Sequence, residues 1–413
     1  MLKDLFPRVH RRFSSLPVLG PILADYARWL FAGGYPRHRV RMHLRSSVRL
    51  DALLVGRGVA SLDDLDSAGL MACRPADSQV DCELTALVRA LHAYFLANGR
   101  FSLAPVSRVE AKVAEYRLHM ERVRGLAGST MAFHSCTVTD FLNSVEHETQ
   151  PNRLAQLKPS EIEAFMRATG TRISRASLQH VVSHLRGFLR FLTARGETQP
   201  GLDTSIDTPR LYRGEHLPRA LPWGTVRALL RAVDRATGMG RRDYAMFLLV
   251  ATYGLRPSDI VALKLEDIGW RAGTIQICQR KTGVPLLLPL TDEVGSALVA
   301  HLRGGRPVQG HREVFLRDRA PVGVLKPTAV GEAFQALCRN SGLIPSQGVH
   351  CLRHSFAVHL LREGTALRTI GDLLGHRTAE ATCVYLRLAV DDLRDVSLPL
   401  PVASSRLVLD GQK

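Results

Sequence analysis

The stretch from Asp243 to Tyr253 constrains the fold most, because it is apolar on nearly every side of a helix. A helix without a polar face has to be surrounded by protein, so this segment must lie at the centre of a domain with other helices packed around it. Candidates for that shell flank it. Leu221 to Val226 reads as a helix start, with Val226, Leu229, Leu230 and Val233 on one face, and helical patterning resumes from about Thr328. The β pattern in this region is Thr274 to Cys278 and Val284 to Leu290, separated by Gln279, Arg280, Lys281, Thr282 and Gly283. Two β-branched or apolar runs joined this closely predict a hairpin with Gly283 in its turn.

The preceding residues are patterned differently. Val40, Leu44 and Val48 recur every fourth residue and mark the apolar face of a helix. Arg37, Arg41, Arg45 and Arg49 recur on a neighbouring face, about 6 Å apart along the axis, with no acid at the intervening turns. Such a ladder can follow a phosphate backbone, although a solvated face is the ordinary fate of a charge run. Further on, Leu178, Val181, Val182, Leu185, Phe188, Leu189 and Leu192 form a second stripe, with Arg172, Arg175, Arg186 and Arg190 off or beside it. The two regions also echo each other. Tyr26 to Leu30 parallels Tyr116 to Leu118, and His92 to Gly99 parallels Leu189 to Gly196. The expected organisation is a basic helical module over 1–108, read as a duplicate of the next, then a helical module over 109–205. After a linker bearing Pro and Gly comes an α-rich domain with a small antiparallel sheet over 215–401, then a loose tail over 402–413. The fold class is therefore mostly α.

Composition narrows the partner. The 413 residues carry a formal charge of +17 with 46% hydrophobic content, which suits a globular chain and not a disordered basic tail. A pI near 10.2 suggests a polyanion, since Lys and Arg that neutralise phosphates release condensed counterions. The cysteines are scattered, without a C-x-x-C pair, so no structural zinc is expected and a reducing compartment is. No apolar run approaches the roughly 18 residues a membrane span needs, and Pro17, Gly20 and Pro21 interrupt the apolar start. The expectation is a cytoplasmic, nucleoid-associated protein.

Within the third block a set of polar residues stands where a plain helical core would not need them. Arg256 follows the apolar helix in Gly254-Leu255-Arg256-Pro257-Ser258-Asp259, and Lys281 sits in the hairpin turn. His350 and Arg353 lie in His350-Cys351-Leu352-Arg353-His354, His376 closes Leu374-Gly375-His376, and Tyr385 follows. Singly, each has an ordinary explanation: Arg256 as an ion pair with Asp259, His350 and His354 as capping or surface residues, Lys281 as a solvated turn, Tyr385 as core. Together and in this order they resemble the catalytic signature of the tyrosine recombinases, and the segment around Tyr385 is most similar to integrases of bacterial mobile elements.

That resemblance implies SAM-like DNA-binding modules, a catalytic domain, and strand cleavage and rejoining through a 3′-phosphotyrosyl bond. Arginine suits the phosphate, because its planar fork binds two oxygens and stays charged. Arg256 and Arg353 are then the clamp, His376 a further donor, Tyr385 the nucleophile, His350 the candidate base and Lys281 the acid for the departing 5′ oxygen, with Asp259 supporting the site from behind. A phenol with a pKa near 10 needs such help. No cofactor or metal is expected, and no P-loop or dinucleotide fingerprint is present. The implied partner is duplex DNA with an inverted-repeat site. Two protomers would bind one site and four would synapse two, or tandem partner recombinases would join, with the modules closing around the duplex. Leu388, Val390 and Leu393 would anchor the end of the chain on a neighbouring protomer. Two rivals stay open, a non-catalytic DNA-binding accessory subunit and a type IB topoisomerase.

Overall fold

The computed structural model describes residues 1–75, 81–101, 107–212, 219–281, 283–307, 310–345, 347–376 and 378–388. Val390, Leu393 and the tail over 402–413 lie outside the described residues, as does the side chain of Leu388. The chain forms two compact units, one of Met1–Tyr94 with His216–Lys413 and one of Phe95–Glu215. The expected first module over 1–108 is thus grouped largely with the C-terminal region. A backbone hydrogen bond from Val322 N–H to Gly33 O at 2.8 Å is one of the contacts responsible.

The first unit begins with helices α1 (Leu2–Leu5), α2 (His10–Ser14), α3 (Leu23–Ala32), α4 (Arg37–Gly56), α5 (Ser67–Ala72) and α6 (Cys82–Ala97). Helix α4 buries Val40 and Leu44 as the spacing predicts, leaves Val48 half-buried, and continues its buried face through Leu50 and Leu54. Asp51 lies on the same face. Its Oδ1 accepts the backbone N–H groups of Val18 and Leu19 at 3.0 and 2.7 Å, which staples the chain ahead of α3 onto α4. Tyr26 on α3 meets His43 Nδ1 on α4 through its hydroxyl at 2.9 Å.

The arginine ladder of α4 has partners that its spacing did not show. Arg37 donates to the carbonyl of Asp4, Arg41 and Arg45 lie over the ring of Phe6 at 5.1 and 5.9 Å, and Arg49 pairs with Asp81. The expectation of a ladder without acids held only for the turns of α4 itself. Asp4, Phe6 and Asp81 reach it from elements distant in sequence.

The second unit holds α7 (Arg108–Arg124), α8 (Gly128–Ser144), a 3-10 turn (Pro151–Gln156), α9 (Pro159–Gly170) and α10 (Arg175–Ala194). Ser107 and Ser174 cap the starts of α7 and α10 with their hydroxyls, and Gly125 at φ 56° ends α7. Helix α10 buries Val182, Leu185, Phe188, Leu189 and Leu192, as its stripe predicts. The order helix, helix, 3-10 turn, helix, long helix repeats that of α3 to α6, where the turn is Leu62–Asp64. Tyr116 of α7 also meets His134 Nδ1 of α8, at 3.1 Å. Of the arginines beside α10, Arg172 and Arg175 are exposed. Arg186 is instead half-buried and donates to Ile206 O at 2.6 Å, and Arg190 lies 3.8 Å from Asp203. These two hold the segment after α10 against the helix.

The remainder of the first unit is built on α12 (Gly238–Tyr253), preceded by α11 (Trp223–Arg231). Tyr244 through Ala251 are all buried, as an all-apolar helix demands. Around it pack α14 (Asp292–Gly304), α15 (Pro327–Ser341) and α16 (His350–Arg362), with α13 (Pro257–Val261), α17 (Leu367–Leu374) and α18 (Glu380–Cys383) completing the set. Phe247 and Phe334 meet edge-on at 5.5 Å in this core. Burying such a side chain contributes roughly 1.5–3 kcal/mol. The sheet is antiparallel in the order β1 (Ile268–Gly269), β2 (Thr274–Cys278), β3 (Pro285–Pro289), with Thr274 opposite Pro289 and Cys278 opposite Pro285. The hairpin forms as expected, one residue shorter at each end of its second strand.

Candidate active site

The site lies where α12, the hairpin, α16 and the segment after α17 meet. Helix α12 ends at Gly254, which adopts φ 64°. A Cβ there would stand 2.7 Å from both Phe356 Cδ1 and Leu374 Cδ2, so the position needs glycine for space as well as conformation. The chain then turns extended at Arg256, and Pro257 starts α13. Arg256 is thereby aimed at the hairpin and at the end of α17. Its Nη1 donates to Gln279 Oε1 at 3.0 Å and its Nη2 to Gly375 O at 3.5 Å.

Asp259 is buried, with Oδ2 4.0 Å from Arg256 Nη1 and Oδ1 accepting the N–H of Arg280 at 2.9 Å. Its hydrogen bond thus ties α13 to the hairpin turn next to Lys281, which is exposed. Gln279 is 1% exposed. It continues the inward phase of Ile275 and Ile277 on β2, so a polar residue lands on the core side of the strand and faces Arg256.

Arg353 is 5% exposed on α16. It donates to the carbonyl of Gly254 and, at 2.7 Å, to that of Leu374, and its Nη2 lies 3.4 Å from His376 Nε2. Burial, then the charge of Arg256, lower its pKa to about 10, which leaves it charged at neutral pH. Two like charges are held together here against the single carboxylate of Asp259, a net positive arrangement that favours entry of an anion.

His376 follows Gly375, which has φ 61°, and its Nδ1 meets Thr382 Oγ1 at 2.8 Å. Burial and then Arg353 and Arg256 lower its pKa to about 4, so the ring is neutral at pH 7. Tyr385 is 2% exposed in the 3-10 segment Val384–Leu388, with its ring parallel to that of His376 at 6.3 Å. Burial raises the phenol pKa, while Arg353 and Arg256 pull it down. His350 opens α16 on the exposed side. Loss of solvent and the cations Arg353, Arg256 and Lys281 lower its pKa.

The structure therefore gathers Arg256, Arg353, His376 and Tyr385, with His350 and Lys281 at the solvent edge and Asp259 behind. The residue hydrogen-bonded to the Tyr385 hydroxyl is His354, whose Nδ1 lies at 3.1 Å. Sequence reading gave no role to His354, Gln279 or Thr382. The alternation along β2 carried a signal for Gln279; His354 adjoins Arg353, but nothing local shows which way its ring turns.

Among the described residues no cluster of His, Cys, Asp or Glu could hold a metal ion, and no helix is long and apolar enough to cross a membrane. Comparison with known proteins gives the family. Residues 221–391 match the phage integrase family and residues 113–196 the N-terminal SAM-like domain of phage integrases. A putative integrase/recombinase of Sinorhizobium fredii is 32% identical over 94% of this chain and 96% of its own length. The tyrosine recombinase XerD of Lacticaseibacillus casei is 28% identical over 67% of this chain and 94% of its own. Among solved structures, a lambda integrase dimer bound to a COC' core site superposes with a TM-score of 0.53 at 17% identity, over 80% of this chain and 91% of that one. The fold is thus that of the integrases, and the chain belongs to the phage integrase family as a tyrosine-type site-specific DNA recombinase.

Proposed function

We propose that this enzyme cleaves and rejoins DNA strands through a 3′-phosphotyrosyl intermediate on Tyr385, in the service of a bacterial mobile element. The observation that carries the reading is the pair of guanidinium groups, Arg256 and Arg353, held near a buried tyrosine, with a neutral His376 3.4 Å from Arg353 and parallel to the tyrosine ring. Attack on a phosphodiester passes through a crowded state with more negative charge, which fixed cations stabilise. Arg256 and Arg353 grip the non-bridging oxygens, His376 supports the same phosphate, and Lys281 protonates the departing 5′ oxygen. Asp259 fixes the turn that carries Lys281, and His350 closes the solvent side. The reaction stores the bond energy in the phosphotyrosyl link, so ligation needs no nucleotide.

The helical modules over 1–108 and 109–205 serve as DNA-binding modules, duplicates of one another. Their common element order and the recurring Tyr–His bond support this. Arg172 and Arg175 are exposed, and Arg175 would share a phosphate with the protein interaction it already makes. Arg37, Arg41, Arg45, Arg49, Arg186 and Arg190 have protein partners that a phosphate would have to share or replace. The partner is duplex DNA with an inverted-repeat site, bound by a dimer and synapsed by a tetramer; the solved lambda integrase complexes include a dimer on a core site and a tetramer on a Holliday junction.

The test is to mix wild type and Tyr385→Phe with fragmented DNA of the host element and sequence what stays attached through SDS. Adducts from wild type alone, clustered at one short inverted repeat, are expected. Adducts spread over any sequence would point to a topoisomerase. Retardation of DNA without an adduct from either protein would overturn the covalent reading.

A further inference from the structure

We infer that His354 is the group that takes the proton of Tyr385 as the phenolic oxygen attacks phosphorus, and that docking of the phosphate on Arg353 is what readies it. The inference rests on the phosphotyrosyl reading above.

The geometry singles out this ring. His354 Nδ1 lies 3.1 Å from the Tyr385 hydroxyl, within the reach a proton transfer needs. The rings stand 5.7 Å apart, tilted by 51°. With the hydroxyl as donor, Nδ1 carries the lone pair and Nε2 the hydrogen. His354 is the residue next to Arg353 on α16, so the proton acceptor and one half of the phosphate clamp move as one rigid piece. His350, four residues before His354 on that helix, sits at the exposed edge among Arg256, Arg353 and Lys281.

The charged and titratable groups around His354 explain how it is controlled. His350 and Arg353 face it from its own helix, Tyr385 from the 3-10 segment, and His376 from the end of α17. Burial first, then His350 and Arg353, hold its pKa at about 4 in the free protein. A base that weak leaves Tyr385 protonated and inert. A phosphodiester bound to Arg353 cancels the nearest positive charge, so basicity rises at Nδ1 only when the substrate is seated. The step then balances. The bond from Oη to phosphorus forms, the bond from phosphorus to the 5′ oxygen breaks, the Oη proton passes to His354 Nδ1, and the 5′ oxygen takes a proton from Lys281. Ligation reverses each transfer.

The test uses the full-length protein and a duplex carrying the site recovered from wild-type adducts, with adduct formation followed in single turnover from pH 5.5 to 9. His354→Asn places an amide oxygen near the position of Nδ1, keeping an acceptor that cannot be protonated. Expected at pH 7 is a loss of about 10²-fold or more, with site binding and thermal unfolding as in wild type. The wild-type rate should level off near neutrality. The variant rate should keep climbing about tenfold per pH unit, because phenolate must now form without a base. A duplex with sulfur replacing the scissile 5′ oxygen needs no acid, so it should restore Lys281→Ala and leave His354→Asn slow. A His354→Asn rate within threefold of wild type overturns the proposal, as does restoration by the sulfur substrate. The same holds if the pH signature appears in His350→Asn instead. Should His354→Asn unfold, His354→Gln is measured in the same way. If wild type itself forms no adduct, the phosphotyrosyl reading fails, and not merely the role of His354.

Discussion

Replacing Gly375 with Ala should break the site from a position that touches no substrate. Gly375 sits at φ 61°, where an L-residue is strained by about 1–2 kcal/mol. Its added Cβ would overlap Oε1 of Gln279. Gln279 is 1% exposed, so its amide cannot simply swing into water, and moving it breaks the bond from Arg256 at 3.0 Å. A hydrogen bond to a charged group contributes about 1.5–3 kcal/mol. The expected destabilisation is therefore about 2.5–5 kcal/mol. The assay is a urea titration followed by tryptophan fluorescence. Trp29, Trp223 and Trp270 are the tryptophans of the sequence and all belong to the unit that contains the site, so the signal reports its unfolding. A double-mutant cycle with Gln279→Ala isolates the clash. In that background Gly375→Ala should cost only its strain, a coupling of about 1.5–3 kcal/mol. A cost below about 1 kcal/mol, or strict additivity with Gln279→Ala, would refute the reasoning.

Arg353→Lys should abolish adduct formation and cost about 1–3 kcal/mol, because one ammonium cannot serve both Gly254 O and Leu374 O in a buried setting; the same titration measures it. Asp51→Ala should cost about 2–5 kcal/mol by orphaning the buried N–H groups of Val18 and Leu19, while Asp51→Asn, which keeps an acceptor, should lose less. Acid should destabilise this unit well before its carboxylates are fully protonated. Burial lowers the pKa of His43 and of His301 from 6.5 to about 4, so the unfolded chain binds protons that the folded one refuses. Stability is complete above pH 6.5 and falls as pH drops towards 4, by about 3 kcal/mol for each ring. His301→Gln should make the fall of Tm between pH 6.5 and 4 shallower, and an unchanged slope would rule this ring out.

Much of the site was legible without coordinates because its markers are local. Arg256 follows a helix that has to stop at Gly254, Arg353 lies on a helix with an apolar partner face, and His376 follows the glycine that closes α17. Their order, which resembles the tyrosine recombinase signature, brought these to attention. The arginine ladder shows the limit. Its period was right, yet Asp4, Phe6 and Asp81 occupy it from other elements. The grouping of Met1–Tyr94 with the C-terminal region was equally out of reach, since contacts such as Gly33 with Val322 join residues far apart in the chain.

The sequence by itself determined the helical class, the central position of α12, the hairpin and the identity of the cations, because hydrophobic period, turn residues and side-chain chemistry are properties of short segments. Only the tertiary structure decided which groups meet. It turned His354 and not His350 towards Tyr385, gave Asp259 to the backbone of Arg280, and set Gln279 and the carbonyl of Gly375 on Arg256. Each of those pairings spans 20 residues or more of chain, roughly 119 in the longest, and depends on how elements pack once α12 is buried.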